Sequence, residues 1–209
     1  MKIAIIGAGK VGGAVATGAV TAGHVVTVTD ADAAAAHSTA DRSGAQASSE
    51  LAGAVAEADV VVLAVPYGAL SDVASQIASG AQGKVVIDAT NPLKPDYSGL
   101  AVSGRSGAEE VQDLLPGAKV VKAFNTTFAS NQATGSVDGL QLDGFHASDD
   151  KGAKAVVAEL LSGLGYRPVD AGPLSAAQAL EHMAFLNISL NATNGWSWRS
   201  GWKLVGPHE

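Results

Sequence analysis

Short apolar runs alternate with helix-like stretches over residues 1–126, and this alternation organises the chain. Residues 3–6, 25–29, 59–65, 84–88 and 119–123 are apolar or β-branched segments of strand length, bounded by Gly, Pro, Asp or Asn. Such runs look like strands buried on both faces. Residues 45–47 predict one short further strand. Helical patterns fall between them, over 10–22, 31–42, a stretch capped by Ser48-Ser49-Glu50 that runs to Glu57, 69–78 and 108–115. Residues 93–105, with Gly, Pro, Ser and Tyr, read as a loop. This order predicts an α/β fold, a Rossmann-like doubly wound parallel sheet. Beyond residue 126 the alternation loosens. Short strands at 140–142 and 167–169 flank a helix over 150–161, and a long helical stretch runs from 175 to about 194. The pattern divides the chain into a main domain, 1–126, and a small C-terminal α/β extension, 127–209, packed on it and ending in the long helix.

The first strand runs directly into Gly7-Ala8-Gly9-Lys10-Val11-Gly12, a G-x-G-x-x-G that opens a helix. Each glycine has a physical task in a dinucleotide site. Gly7 permits the tight turn off the strand, Gly9 lets a pyrophosphate approach the backbone, and Gly12 lets the helix press on the sheet. The helix N-terminus adds unpaired N–H groups and the positive end of its dipole. As a motif alone it could be a structural turn; its place between a strand and a helix favours the dinucleotide.

Asp30 closes the second strand, 18 residues beyond Gly12. An acid there hydrogen-bonds the adenosine ribose hydroxyls of NAD and repels the 2′-phosphate of NADP. The alternative task is to cap the following helix, which Asp30 and Asp32 both suit. Ala64-Val65-Pro66, Asn91-Pro92 and Ala123-Phe124-Asn125 all follow predicted strands, where open α/β sheets hold their ligands. Strand termination by the prolines and capping by the asparagines are the competing readings.

Composition narrows the chemistry. Nearly half of the 209 residues are apolar but only 5% aromatic, so the core is built from Ala, Val, Leu and Ile. A net charge of −7 with no basic run argues against nucleic acid and anionic membrane as partners. Zero cysteines exclude disulfides, thiol catalysis and thiolate-bound metal. With a strand-like start in place of a signal peptide and no run of membrane-spanning length, the expectation is a soluble cytoplasmic protein. His24, His37, His146, His182 and His208 have no metal-ligand spacing, and no serine sits in a nucleophile elbow. Trp196, Trp198 and Trp202 carry every tryptophan; they either pack on the body or a partner subunit, or stack on a flat second cofactor.

The segments IAIIGAGKVGGAVA, VVVLAVP, VIDATNPL, VVKAFNT and YRPVDAGPLSAAQALE resemble the coenzyme F420-dependent NADP oxidoreductase family and, more distantly, the reductase domain of the STEAP metalloreductases. The resemblance implies hydride exchange between a nicotinamide dinucleotide and a planar acceptor, F420, a flavin or similar. It also implies a homodimer through the C-terminal helices, which suits Leu180, Met183, Leu186 and Leu190. Where members that use NADP carry a Ser-Arg type pair, this chain has Thr29-Asp30-Ala31. The acid favours NAD and the resemblance favours NADP. No catalytic side chain is required, because the cofactor carries the chemistry and the protein aligns it.

Two other readings compete. One is a dehydrogenase or imine reductase acting on a small substrate; the β-hydroxyacid dehydrogenases share this kind of N-terminal domain and place a Lys four residues before an Asn on a helix. Asn187, Asn191 and Asn194 are preceded at that spacing by Met183, Asn187 and Leu190, with no Lys. A non-catalytic redox-sensing protein would keep the glycine loop and need no acceptor pocket.

Overall fold

Strand β1 (Lys2–Ile6) lies inside the sheet because its Ile and Ala side chains are apolar on both faces, and all but Lys2 are buried. It pairs in parallel with β2 (Val25–Thr29) on one side and β4 (Val60–Leu63) on the other, Ile3 standing opposite both Val26 and Val60. The computed structural model describes residues 1–206. Short β3 (Gln46–Ala47) closes one edge. Strands β5 (Val85–Asp88) and β6 (Lys119–Ala123) extend the parallel ladder in the other direction.

Period-two alternation sends each strand's side chains into two separate cores. Ile3, Ile5, Val26, Val28, Val60 and Val62 pack under α1 (Lys10–Thr21) and α7 (Lys151–Gly163). Ala4, Ile6, Val61 and Leu63 pack under α3 (Leu51–Glu57), α4 (Leu70–Ile77) and α5 (Gly107–Leu114). Helix α2 (Ala33–Ser43) starts two residues later than its pattern predicts, because Asp32 takes the cap and accepts from the amides of Ala34 and Ala35. Glu50 stands at the start of α3 without a side-chain cap; Ser48 Oγ instead accepts from its amide.

The C-terminal strands join the same sheet, whose order is β10-β9-β6-β5-β4-β1-β2-β3. Strand β9 (Asp143–Ala147) pairs antiparallel with β6, and β10 (Arg167–Asp170) runs parallel to β9. The parallel doubly wound sheet therefore carries a reversed pair at one edge. The predicted strand at 140–142 forms, but outside the main sheet. Leu140–Gln141 (β8) instead forms a small hairpin with Ser136–Val137 (β7), next to the short helix α6 (Ala129–Gln132). Helix α8 (Ala177–Asn194) is the predicted long helix. Among the described residues, no helix is long and apolar enough to cross a membrane.

Candidate functional site

The glycine loop leaves β1 at Gly7, whose φ of 111° belongs to glycine and whose amide donates to the Thr29 carbonyl at 2.8 Å. A Cβ there would lie 2.4 Å from the Ala64 carbonyl oxygen. The ends of β1, β2 and β4 thus converge on one residue. A Cβ on Gly12 would lie 1.8 Å from the Gly7 carbonyl oxygen, so α1 can pack this closely only through glycine. Gly9 is different. A Cβ there would meet no heavy atom within 4 Å, so the loop faces open space at the N-terminus of α1.

Asp30 does not cap α2. Its Oδ2 accepts from the Ala8 amide at 2.7 Å and its Oδ1 from the Asp32 amide at 2.9 Å. On the other side, the Ala8 carbonyl accepts from Thr39 Oγ1 at 2.9 Å, and Arg42 Nη2 donates to that hydroxyl at 2.9 Å. Both backbone polar groups of Ala8 are therefore held by side chains.

Two concavities meet at this loop along the carboxyl ends of the strands. One, of about 550 Å³, is lined by Gly7, Gly9, Asp30, Ala64, Val65 and Pro66, with Leu51 and Val73 behind them. The other, of about 180 Å³, is lined by Val11, Ala89, Asn91, Phe124, Asn125 and Gln132, with Ala184 of α8. Lys10, Ala8 and Arg42 border a third recess, with Ser130. A further cleft of about 470 Å³ lies among Lys2, Val25, Gln46 and Glu57, at the opposite ends of the strands and away from the loop.

Asn91 and Asn125 are brought together. Asn91 Nδ2 donates to the Asn125 carbonyl at 3.0 Å, and Asn125 Nδ2 donates to Asn91 Oδ1 at 3.0 Å and the Leu180 carbonyl at 3.1 Å. This pair fastens the ends of β5 and β6 to each other and to α8. Phe124 between them adopts φ 66°, a sparsely populated conformation for a bulky residue, and its carbonyl is held by Gln132 Nε2 at 3.0 Å. Two expected site residues lie elsewhere. Ala123 is wholly buried in the core, and Pro92 is buried beside Gly107, where a Cβ would lie 3.3 Å from Pro92 Cγ.

Of the three tryptophans, Trp198 makes a ring contact with the body. Trp198 meets Phe128 edge to face with centroids 5.5 Å apart, and the Trp202 carbonyl accepts from the Asp143 amide at 3.0 Å. Trp196 and Trp198 stay about half exposed. His182 is exposed, its Nδ1 beside the Gln178 carbonyl; His208 lies outside the described residues.

A cluster that sequence reading missed lies beneath the strand ends. Lys122 bridges Asp88 at 2.9 Å and Glu181 at 2.8 Å, and all three side chains are fully buried. Burial alone lowers the Lys122 pKa, but the two carboxylates outweigh it and hold the ammonium above the ordinary lysine value. The available signal was a charge inside each of two apolar strands, in VVKAF and VVID. Nearby, the Tyr67 hydroxyl donates to Glu110, and burial followed by that contact pushes its pKa up.

The sheet, its glycine loop and the crevice at the strand ends define a Rossmann-like α/β protein. Residues 2–92 match the profile of the family described as NADP oxidoreductase, coenzyme F420-dependent. The chain resembles that family over this span. It is 35% identical over 151 residues to the F420-dependent NADP reductase of Methanothermobacter marburgensis, which covers 68% of this chain and 66% of that one. It is 32% identical over 131 residues to the metalloreductase STEAP3 of Rattus norvegicus, covering 61% of this chain and 25% of STEAP3. A crystal structure from Arthrobacter sp. FB24, described as a candidate F420-dependent NADP reductase, superposes with a TM-score of 0.87 at 29% identity, covering 99% of this chain and 100% of that one. The match thus spans just under two thirds of the length of the methanogen reductase.

Proposed function

We propose that the protein is a nicotinamide-dependent oxidoreductase that exchanges hydride between NAD(P) and a planar acceptor of the F420 or flavin type. The observation that carries this reading is the open face of Gly9, which lines the larger concavity, while Val11 of the same loop lines the smaller one. A pyrophosphate laid over Gly9 and Lys10 meets the N-terminus of α1 and sends the adenosine toward Asp30 and the nicotinamide toward Asn91 and Asn125. When bound, the dinucleotide supplies the hydride chemistry. The chain's own residues hold and orient it. Gly7 to Gly12 present the phosphate contacts, Asp30 offers its remaining lone pairs to the ribose, and Val65 and Pro66 shape one wall. Phe124, Asn125 and Val11 border the recess that takes the ring.

Asp30 disfavours a 2′-phosphate, whereas the related methanogen enzymes are named for NADP. Titration with NADH and NADPH decides between them. The test of the reaction mixes the protein with either dinucleotide and F420, FMN or a ferric chelate, and follows the nicotinamide absorbance band. Oxidation with at least one planar acceptor is expected. Tight dinucleotide binding without turnover in every mixture would leave a sensor, not an enzyme.

Assembly is part of the same proposal. Leu180 is buried against the body, but Leu186 and Leu190 on α8 are 48% and 36% exposed. This outward apolar face fits a second copy of the chain.

A further inference from the structure

Lys122, Asp88 and Glu181 take no part in the contacts assigned above, yet they form a fully buried charged cluster. Lys122 Nζ donates to Asp88 Oδ2, to Glu181 Oε1 and, at 2.7 Å, to the Thr90 carbonyl. The ammonium's three protons are thereby all used. Asp88 Oδ1 accepts from the Thr90 amide at 2.9 Å, and Glu181 Oε2 from the Gly107 amide at 3.1 Å. The Ala108 amide also reaches Glu181 Oε1, at 3.4 Å. Every carboxyl oxygen of the pair accepts from a donor. Two carboxylates against one ammonium leave one negative charge in excess. The positive end of the α5 dipole, aimed at Glu181, offsets only about half a charge.

The cluster reaches the wall of the smaller cavity through the Thr90 carbonyl, which Lys122 holds between the lining residues Ala89 and Asn91. Asp88 and Thr90 flank Ala89, and Ala89 and Asn91 both line the cavity. Glu181 precedes Ala184, another lining residue, by about one helical turn. Its neighbour Leu180 offers the carbonyl that holds the Asn125 side chain. Buried ion clusters contribute little net stability compared with apolar packing. An unbalanced one beneath a ligand wall calls for an electrostatic account.

We infer that Asp88, Lys122 and Glu181 tune the bound nicotinamide, their excess negative charge favouring the oxidised cationic ring over the neutral dihydro ring. The inference rests on the placement of the nicotinamide in this cavity. Hydride leaving C4 of the dihydronicotinamide for a flavin-like acceptor carries two electrons and one proton. The ring left behind gains one positive charge. A fixed negative charge under the ring stabilises that product, because it is already in place and is shielded from water. The bound dinucleotide becomes a stronger hydride donor. Because the three side chains act through the cavity wall, they are positioning residues and touch no reacting atom.

The test measures dissociation constants for the oxidised and reduced forms of the same dinucleotide, by calorimetry and by nicotinamide fluorescence. Glu181→Gln removes a negative charge. The ratio Kd(oxidised)/Kd(reduced) is expected to rise roughly tenfold, the order of effect of removing one unit charge behind a cavity wall at an effective dielectric of about 20. Lys122→Met removes the positive charge and is expected to lower the same ratio. A cluster that only fastens α8 to the sheet would weaken both forms together. A ratio that stays put, or moves the same way in both variants, overturns the inference. If Lys122→Met does not fold, Asp88→Asn replaces it and must raise the ratio as Glu181→Gln does; an unchanged ratio there is equally fatal. Failure of the unmodified protein to bind either form removes the placement reading itself, a result distinct from an unmoved ratio.

Discussion

Asp30 Oδ2 accepts a 2.7 Å hydrogen bond from the amide of Ala8, tying the end of β2 to the middle of the glycine loop. One carboxylate therefore serves two roles in the proposed site. It orders the loop and presents its free lone pairs and charge to the larger cavity.

Replacing it separates these roles. Asp30→Ala should weaken NADH binding about tenfold, since a charge-assisted hydrogen bond contributes about 1.5–3 kcal/mol and each 1.4 kcal/mol is tenfold. NADPH should lose less or gain, because the repulsion toward the 2′-phosphate disappears as the loop loosens. Parallel titrations check this. Tighter binding of NADPH than NADH by the unmodified protein would defeat the ribose assignment.

Gly9 and Gly12 offer a matched pair of substitutions. Gly9→Val should fold normally, because its side chain enters open space, and should lose measurable dinucleotide binding. Gly12→Ala should lower stability by about 1–3 kcal/mol or more, because its methyl group collides with the Gly7 carbonyl. Denaturant melts and binding titrations on both proteins separate the two effects. Unchanged affinity in Gly9→Val would make the loop a structural turn.

Asp143 controls the C-terminal tail. It is buried, accepts from Arg167 Nε at 2.7 Å and Nη2 at 2.6 Å, and takes the Leu204 amide at 2.6 Å. Burial alone would raise its pKa; Arg167, the Leu204 amide and Lys203 outweigh that and hold it below the ordinary aspartate value. A depressed folded-state pKa stabilises the protein above the unfolded aspartate value, and this contribution is lost as pH falls through the folded one. Asp143→Asn should therefore melt several degrees lower at neutral pH and converge with the unmodified protein in acid. Parallel melting curves that keep their separation down to strong acid would contradict this.

The outward face of α8 gives a prediction about assembly. Leu186→Glu places a charge on the exposed apolar face and should convert a dimer into a monomer with little change in melting temperature. Size-exclusion chromatography with light scattering reads this out. A monomer in the unmodified protein would remove the proposal.

The sequence by itself determined the strands whose two faces are both apolar, the glycine loop between strand and helix, and Asp30 at the end of β2. These features are local: a run of Val and Ile or a G-x-G-x-x-G carries its geometry within a few residues. It did not determine β9. The segment DGFHA has weak strand character; His146 and Ala147 pair with β6, and Gly144 leaves room for Leu161, whose Cδ2 would lie 2.8 Å from a Cβ there. Nor did it decide that Asn91 and Asn125 join, or that Ala123 and Pro92 turn away from the crevice. The cluster of Asp88, Lys122 and Glu181 is the clearest case. Each charge stands in a legible segment, but the partners lie 34 and 59 residues from Lys122. Only the side-by-side packing of β5, β6 and α8 brings them together, and burial then turns three ordinary charges into one strong local field.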